Sequence, residues 1–219
     1  MKYVKEFCYT MRNSHMKEIL KNYIINNYKE YILVGILFII GLFSGVLIVN
    51  NAKESQILEF SGYISNFITK FKSIEDINKS TILITSIKNN IFLALIIWGA
   101  GTTVIGMPIV LTVIIFRGLI LGYTISALTI TLGTFKGIMF CLVSLFLQNL
   151  LFIPVILTLG VSSIKLYKSI IKDRRKENIK VEIIKHTIIF ILMTGLLILS
   201  SLIENFISIS ILKKFIKYF

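Results

Sequence analysis

The stretch from Ile91 to Ile164 most constrains how this chain can fold, because it is apolar almost throughout. Its two charged residues are Arg117 and Lys136. In a soluble domain, a buried helix or strand is soon followed by a charged surface segment, whereas apolar runs of about 18 or more residues with few charges are typical of transmembrane helices. The chain is therefore predicted to be an all-α, polytopic integral membrane helical bundle.

The composition of the chain agrees with a membrane protein and argues against a nucleic-acid partner. The 219 residues are 55% hydrophobic and carry a net charge of +13. The Lys and Arg residues lie between and beside the apolar runs, which is the pattern of membrane topology and of contact with an anionic lipid membrane. The two cysteines, Cys8 and Cys141, form no CxxC motif and have no His nearby, so they predict neither a disulfide framework nor a metal site.

Five transmembrane spans with amphipathic flanking segments are predicted along the chain. In the first span, Gly41 and Gly45 form a small-xxx-small pair that would let another helix pack closely. The predicted segments are a cytoplasmic amphipathic segment (1–30), spans at 31–50, 88–105, 108–132, 137–164 and 187–203, an outer amphipathic segment (51–87) and a basic cytoplasmic loop (165–186).

The boundary between the second and third spans has two possible positions. A break at Arg117–Gly118 would give spans of about 39 Å and about 22 Å, neither of which fits a core of about 30 Å. A break at Gly106–Pro108 improves both lengths, and Pro is favoured in the first turn of a helix. We prefer the second position, which places Arg117 inside the membrane. Further along, Pro154 is predicted to kink the fourth span.

The charge distribution predicts the orientation of the chain. The 165–185 segment contains eight basic residues and the first thirty residues contain six, and cytoplasmic segments carry the excess of Lys and Arg. The N-terminus is therefore expected in the cytoplasm and the C-terminus outside the cell membrane.

The outer segment has an aromatic face, with Phe60, Phe67 and Phe71 recurring at helical spacing. One interpretation is that this face packs on the bilayer or on the bundle. The other is that it is a partner-docking surface.

The sequence contains no recognisable catalytic set. His15 and His186 are isolated, and Glu204 stands alone at the end of a helix. A metalloprotease would show H-E-x-x-H, and a proton-coupled transporter usually places Asp, Glu or His in mid-membrane. We therefore expect no enzymatic activity, no catalytic residues, no bound metal and no cofactor.

Apart from Ser and Thr, which are frequent in the spans, the polar residues predicted to lie within the membrane are Arg117, Gln148 and Asn149. An intramembrane ionisable residue indicates a functional site by default, whereas interhelical hydrogen bonds would make these groups structural. Arg117 is counted from the inner end of the third span, and Gln148 is counted from the outer end of the fourth span. The two residues are expected at similar depths in the membrane. The third and fourth spans are therefore predicted to be adjacent and joined by an intramembrane polar cluster of Arg117, Gln148 and Asn149.

Several short motifs resemble those of the stage II sporulation protein M family. They are Ile96-Ile97-Trp98-Gly99, Val104-Ile105-Gly106-Met107-Pro108-Ile109, Arg117-Gly118, Gly122-Tyr123-Thr124 and Gln148-Asn149-Leu150-Leu151-Phe152-Ile153-Pro154-Val155, after a span that ends Leu47-Ile48-Val49-Asn50. The resemblance covers nearly the whole chain. One departure is Leu147, where Pro is expected in the family.

The resemblance implies a non-enzymatic membrane scaffold of endospore-forming bacteria. Such a protein would act in engulfment of the forespore, at the septal or engulfing membrane, in a peptidoglycan-degrading complex with stage II sporulation proteins D and P. A small membrane permease or channel is the alternative, which a water-filled path lined by Arg117, Gln148 and Asn149 would support.

Overall fold

The structure is a computed structural model that describes residues 22, 24–73, 79–103, 105–172 and 176–205. Every regular element in these ranges is helical. The predicted cytoplasmic segment 1–30 therefore lies mostly outside the described residues. In chain order the elements are α1 (Tyr28–Asn50), α2 (Glu54–Ser73), α3 (Lys79–Gly101), α4 (Gly106–Leu132), α5 (Thr134–Cys141), a π-helix (Leu142–Phe146), α6 (Leu147–Lys172) and α7 (Lys176–Ile203).

Five of these helices are long and apolar enough to cross a membrane, which confirms the predicted fold class. They are α1, α3, α4, α6 and α7, and their apolar parts contain 22 to 27 residues. At 1.5 Å per residue this is about 33 to 40 Å, enough for a hydrocarbon core of about 30 Å. Helix α6 is the central one, since 56% of its most apolar 18-residue stretch is buried inside the bundle. The corresponding fraction is 22% to 28% for the other four helices.

The five long helices alternate in direction. Helices α1 and α4 run parallel, because Gly41 faces Ile115 and Gly45 faces Leu119 one turn further along both helices. Helix α6 runs the opposite way. At the start of α1, the Tyr31 hydroxyl donates to Thr158 Oγ1 at 3.0 Å, and Glu30 pairs with Lys168. We call this end of the bundle the Tyr31 end and the opposite end the Asn50 end.

Helix α4 begins at Gly106 and continues through Arg117 without interruption. The Gly106 N–H donates to Thr103 Oγ1 at 3.0 Å, which satisfies one of the free donors at the helix start. A Cβ at Gly106 would overlap the Ala100 carbonyl, so only glycine fits here. Pro108 lies in the first turn, where its missing N–H leaves no helical hydrogen bond unmade.

The contact between α1 and α4 is built from glycine on both sides. A Cβ at Gly41 would overlap the Ile115 carbonyl, and a Cβ at Gly122 would overlap the Leu42 carbonyl. Gly45 and Gly118 make equivalent contacts with backbone atoms of the facing helix. The predicted close packing at Gly41 and Gly45 is therefore present, and its partner is the Gly118–Gly122 pair of α4. Such close approach is a main source of helix association in lipid, where apolar burial contributes little.

The chain between α4 and α7 differs in detail from the predicted fourth span and loop. Gly133, with a φ of +84°, turns the chain into α5, and the π-helix joins α5 to α6. Helix α6 contains Pro154 and extends beyond the predicted boundary at Ile164 to Lys172, while α7 already begins at Lys176. The predicted loop 165–186 is therefore largely helical. The reason is that Lys, Arg and Glu are good helix formers, so both helices continue as their sequence becomes polar.

Candidate functional site

Arg117 lies near the middle of α4, and its side chain is partly buried against α6. The guanidinium carbon is 5.2 Å from the centroid of the Phe152 ring, within the range of a cation–π interaction. One turn closer to the Tyr31 end, the Ile114 side chain lies against Gly160. Helices α4 and α6 are therefore adjacent at the depth of Arg117, as the sequence predicts for the third and fourth spans.

The polar cluster of Arg117, Gln148 and Asn149 stays a prediction. The side chain of Gln148 lies outside the described part of the structure, and that of Asn149 is half-buried and engaged in an interaction. Among the described contacts of Arg117, the one that joins it to α6 is the ring of Phe152, one turn further along α6 than the two amides. The contact of Arg117 with the ring of Phe152 is not expected when polar partners alone are considered.

A cavity of about 750 Å³ opens between α3, α4 and the end of α7, and Arg117 lines it. Glu204, which the sequence presents as an isolated helix-end residue, lines the same cavity. The polar residues of α3 that join them are Thr81, Thr85, Ser86, Asn89 and Asn90. Sequence reasoning missed this group, although residue counting could have found part of it. Asn90 precedes Gly101 by as many residues as Arg117 follows Gly106, which places both at one depth.

Hydrogen bonds connect the polar groups of α3 and α7 beside this cavity. The Asn90 amide donates to Ser201 Oγ at 2.9 Å, and the Ser86 hydroxyl donates to Glu204 Oε2 at 2.6 Å. Arg117 and Glu204, both described residues, form no ion pair with each other. The cavity therefore contains a cation and a carboxylate that are separated in space.

A second polar site is buried near the Tyr31 end, where α3, α6 and α7 meet. His186 is 2% exposed, and its Nδ1 lies 2.8 Å from the Ser162 hydroxyl. Its Nε2 is buried with no hydrogen-bond partner among the described residues. A Ser–His pair can serve in nucleophilic catalysis, but Ser162 is 3% exposed and its hydroxyl is closed to solvent in this structure. This arrangement holds helices together, and the isolated position of His186 in the sequence gives no sign of it.

The aromatic face of α2 is divided between the bundle and open surface. The Phe60 ring contacts Tyr123 of α4 edge-on at 5.3 Å. Ile64 and Ile68 of α2 pack against a small cluster of Leu128, Phe140 and Cys141.

By contrast, Tyr63 is 71% exposed and Phe67 is 48% exposed, beside an apolar cavity of about 400 Å³. The side chain of Phe71 lies outside the described part of the structure. The bundle-contact interpretation therefore accounts for part of this face, and partner docking stays a prediction for the rest.

Within the described ranges, no group of three or more His, Cys, Asp and Glu side chains could hold a metal ion.

Comparison with known protein families gives a match over most of the chain. The family model described as stage II sporulation protein M matches residues 34–209, which include all five long apolar helices in whole or in large part. No curated protein and no solved structure matched the chain.

Proposed function

Because that match covers most of its length, the chain belongs to the stage II sporulation protein M family, and from this premise we propose that it is a membrane scaffold required for engulfment of the forespore. It would act without enzymatic activity of its own in a septal peptidoglycan-degrading complex, at the septal or engulfing membrane. Its partners would be stage II sporulation proteins D and P. The observation that carries this proposal is the match to the stage II sporulation protein M family, together with the five helices that are long and apolar enough to cross a membrane.

The packing of the bundle supports a scaffold role. The α1–α4 contact is made backbone to backbone, and the Ser162–His186 pair is closed to solvent. Such contacts hold helices in one fixed arrangement, which is what a platform for other proteins needs. Helix α2 packs on α4 through Phe60, while Tyr63 is 71% exposed and Phe67, which is engaged in an interaction, is 48% exposed. We infer that these two exposed aromatic side chains dock the partner, since aromatic residues are the commonest anchors of protein interfaces.

Co-purification from sporulating cells tests the docking proposal. The double variant Tyr63→Ser/Phe67→Ser is expected to lower at least tenfold the amounts of proteins D and P that co-purify with the tagged full-length chain. Two interface anchors that contribute about 1 to 2 kcal/mol each would predict a loss of this size. Phe60 is left in place because it packs against Tyr123. The variant should still insert in the membrane at the normal level.

The matched control for this experiment is Leu58→Ser. Leu58 is 69% exposed and belongs to the same helix. It lies five residues before Tyr63, about 140° around the helix axis. Recovery of both partners by the control and their loss from the double variant would support docking on this face. Equal recovery by both variants would mean that the exposed aromatic residues contact lipid and that the partner binds elsewhere.

The proposed orientation places the Tyr31 end of the bundle in the cytoplasm and α2 outside. In a background with Cys8 and Cys141 replaced, a membrane-impermeant thiol reagent added to intact cells is expected to label Asn66→Cys but not Lys180→Cys, because both positions are exposed and lie at opposite ends. Permeabilised cells should show both sites labelled. Labelling of position 180 in intact cells would contradict the orientation that the basic residues predict.

The alternative function, a small permease or channel, has one observation in its favour. The cavity that contains Arg117 and Glu204 has polar residues along α3 from Thr81 to Asn90. Solute uptake by vesicles that contain the purified chain would favour transport, provided that Arg117→Gln abolishes this uptake. Vesicles that stay tight to small ions and solutes, together with retained partner binding, would favour the scaffold.

A further inference from the structure

Helix α3 has the lowest mean hydropathy of the five long helices and also the smallest buried fraction, 22% of its most apolar 18-residue stretch. In lipid the opposite combination is expected, because polar side chains of a span normally face the interior of the bundle. The exposed residues of α3 include Thr81, Thr85, Lys88, Phe92 and Leu95, which alternate in four- and three-residue spacing. We call these five residues the α3 stripe. Such spacing is typical of the seam between two packed helices.

Lys88, in the middle of the α3 stripe, lies within the depth of the bilayer core. The segment from Lys88 to Gly101, where α3 ends, is about 20 Å long, too short to cross a core of about 30 Å. The same core thickness, measured along α4 from Gly106, ends at Ser126, whose hydroxyl donates to Asn50 Oδ1 at 3.1 Å. Lys88 is therefore about 10 Å inside that edge, where a cation is costly unless an opposite charge meets it. Lys88 is exposed and forms no ion pair with the residues that the structure describes.

The carboxylate of Glu204 lies at nearly the same depth as Lys88. The Ser86 hydroxyl donates to Glu204 Oε2 at 2.6 Å, and Ser86 lies two residues from Lys88, about 3 Å closer to the Asn50 end. Side chains of a helix lean toward its N-terminus, so the Lys88 ammonium is directed toward the level of Glu204. Lys88 and Ser86 are about 160° apart around the helix axis, so α3 itself separates Lys88 from Glu204 of the same chain. Glu204 is partly exposed and lines the open cavity between α3 and α4.

We propose that the α3 stripe is the interface of a two-fold dimer of this chain, in which Lys88 of each copy pairs with Glu204 of the other. Two copies inserted with the same orientation are parallel, so residues of equal depth meet across a two-fold axis along the membrane normal. Viewed down α3, Lys88 lies about 40° to one side of Phe92, and the cavity-lining Asn89 lies about 60° to the other side. A two-fold axis beside Phe92 therefore brings the Lys88 side of each copy against the cavity side of the other.

The charges and side-chain sizes of the chain itself favour a second copy as the occupant of this face. Each copy has a cation on its stripe and a carboxylate in its cavity at matching depth, so two copies form both ion pairs without another protein. Thr81 and Thr85 lie within about 20° of Phe92 around the helix axis. Their short side chains let two α3 helices approach closely, as small residues do at helix contacts in membranes.

Charge reversal in two differently tagged full-length chains tests the pairing. Lys88→Glu alone would bring carboxylates together, and Glu204→Lys alone would bring ammonium groups together. Each variant is therefore expected to weaken association with its own copies about tenfold or more. Co-expression of the two variants gives every site one acid and one base, so recovery of one tag with the other is expected to return to the wild-type level. Lys180→Glu is the control, since Lys180 is exposed on α7 outside the α3 stripe, and it should leave association unchanged.

Cysteine cross-linking in native membranes tests the position of the two-fold axis. In a background with Cys8 and Cys141 replaced, Phe92→Cys is expected to form a disulfide-linked dimer after mild oxidation. Phe43→Cys is the matched control. Phe43 of α1 is 62% exposed against 66% for Phe92, and the two lie within about 3 Å of one depth, because Gly41 faces Ile115 of α4. The control should stay largely monomeric.

Two results would overturn the proposal. A monomeric wild-type chain, with Phe92→Cys no more cross-linked than Phe43→Cys, would mean that lipid or another protein covers the α3 stripe. Failure of the mixed pair to associate, when the double variant Lys88→Glu/Glu204→Lys associates normally, would place the ion pair within one chain. Normal membrane insertion and a monodisperse elution profile are required of every variant, so that loss of folding is not taken for loss of association.

Discussion

Gly118→Ala is expected to destabilise the folded bundle, whereas Gly35→Ala is expected to be neutral or stabilising. At Gly118 a Cβ would overlap the Phe38 carbonyl of α1 and lie 3.0 Å from the Leu42 nitrogen. Both are backbone atoms, so no side-chain rotation relieves the overlap and the helices must separate. At Gly35, on the facing helix, a Cβ would meet nothing within 4 Å.

The expected effects of these two substitutions differ in sign. Overpacking at a close contact costs about 1 to 3 kcal/mol, and separation of α1 from α4 would also weaken the contacts at Gly41, Gly45 and Gly122. At an open helix position, Ala is favoured over Gly by about 0.5 to 1 kcal/mol. Unfolding of the purified protein in mixed micelles with increasing SDS, followed by circular dichroism, measures both changes. Equal midpoints for the two variants would show that α1 and α4 do not pack as described.

The double variant Gly118→Ala/Gly122→Ala extends this test. Both residues face α1, so once the helices have separated for the first Cβ, the second costs less. The combined loss should therefore be smaller than the sum of the two single losses, as is usual for neighbouring sites.

The long apolar helices and the break before Pro108 could be read from the sequence, because hydropathy and proline chemistry act locally. The pairing of glycines could be read only in part. Periodicity shows that Gly41 and Gly45 share a face, but it does not say which helix meets them. The candidate partners were already present as Gly118 and Gly122, yet the choice depends on how all five helices assemble.

The polar sites show the same limit more strongly. Arg117 stands out in the sequence as a charge in an apolar run, whereas its neighbour Phe152 is one aromatic residue among many and carries no signal. Glu204 is isolated in the sequence, whereas α7 brings it to the cavity that Arg117 lines. The sequence predicts that His186 lies outside the spans, in the loop 165–186, whereas the structure buries it against Ser162. These pairings join residues far apart in the chain, so local patterns do not contain them.

The Ser162–His186 pair leads to the second large effect. Ser162→Ala is expected to lower the stability of the bundle by about 1 to 3 kcal/mol, because the buried histidine would then lose the hydrogen bond at its Nδ1. Adding His186→Leu should restore part of that loss. Removing both partners of a buried hydrogen bond in favour of apolar groups is often nearly neutral, whereas removing one leaves a desolvated polar group.

Ser163→Ala is the matched control for this rescue. Ser163 is 1% exposed and adjacent in sequence, but its hydroxyl donates to the Leu159 carbonyl within its own helix. Its loss should therefore cost less than the loss of Ser162, and His186→Leu should not rescue it. The SDS midpoints of the three single and two double variants give the coupling energy, expected at about 0.5 to 3 kcal/mol for Ser162 with His186 and near zero for Ser163. Equal coupling of both serines to His186 would show that the 2.8 Å contact does not hold α6 to α7.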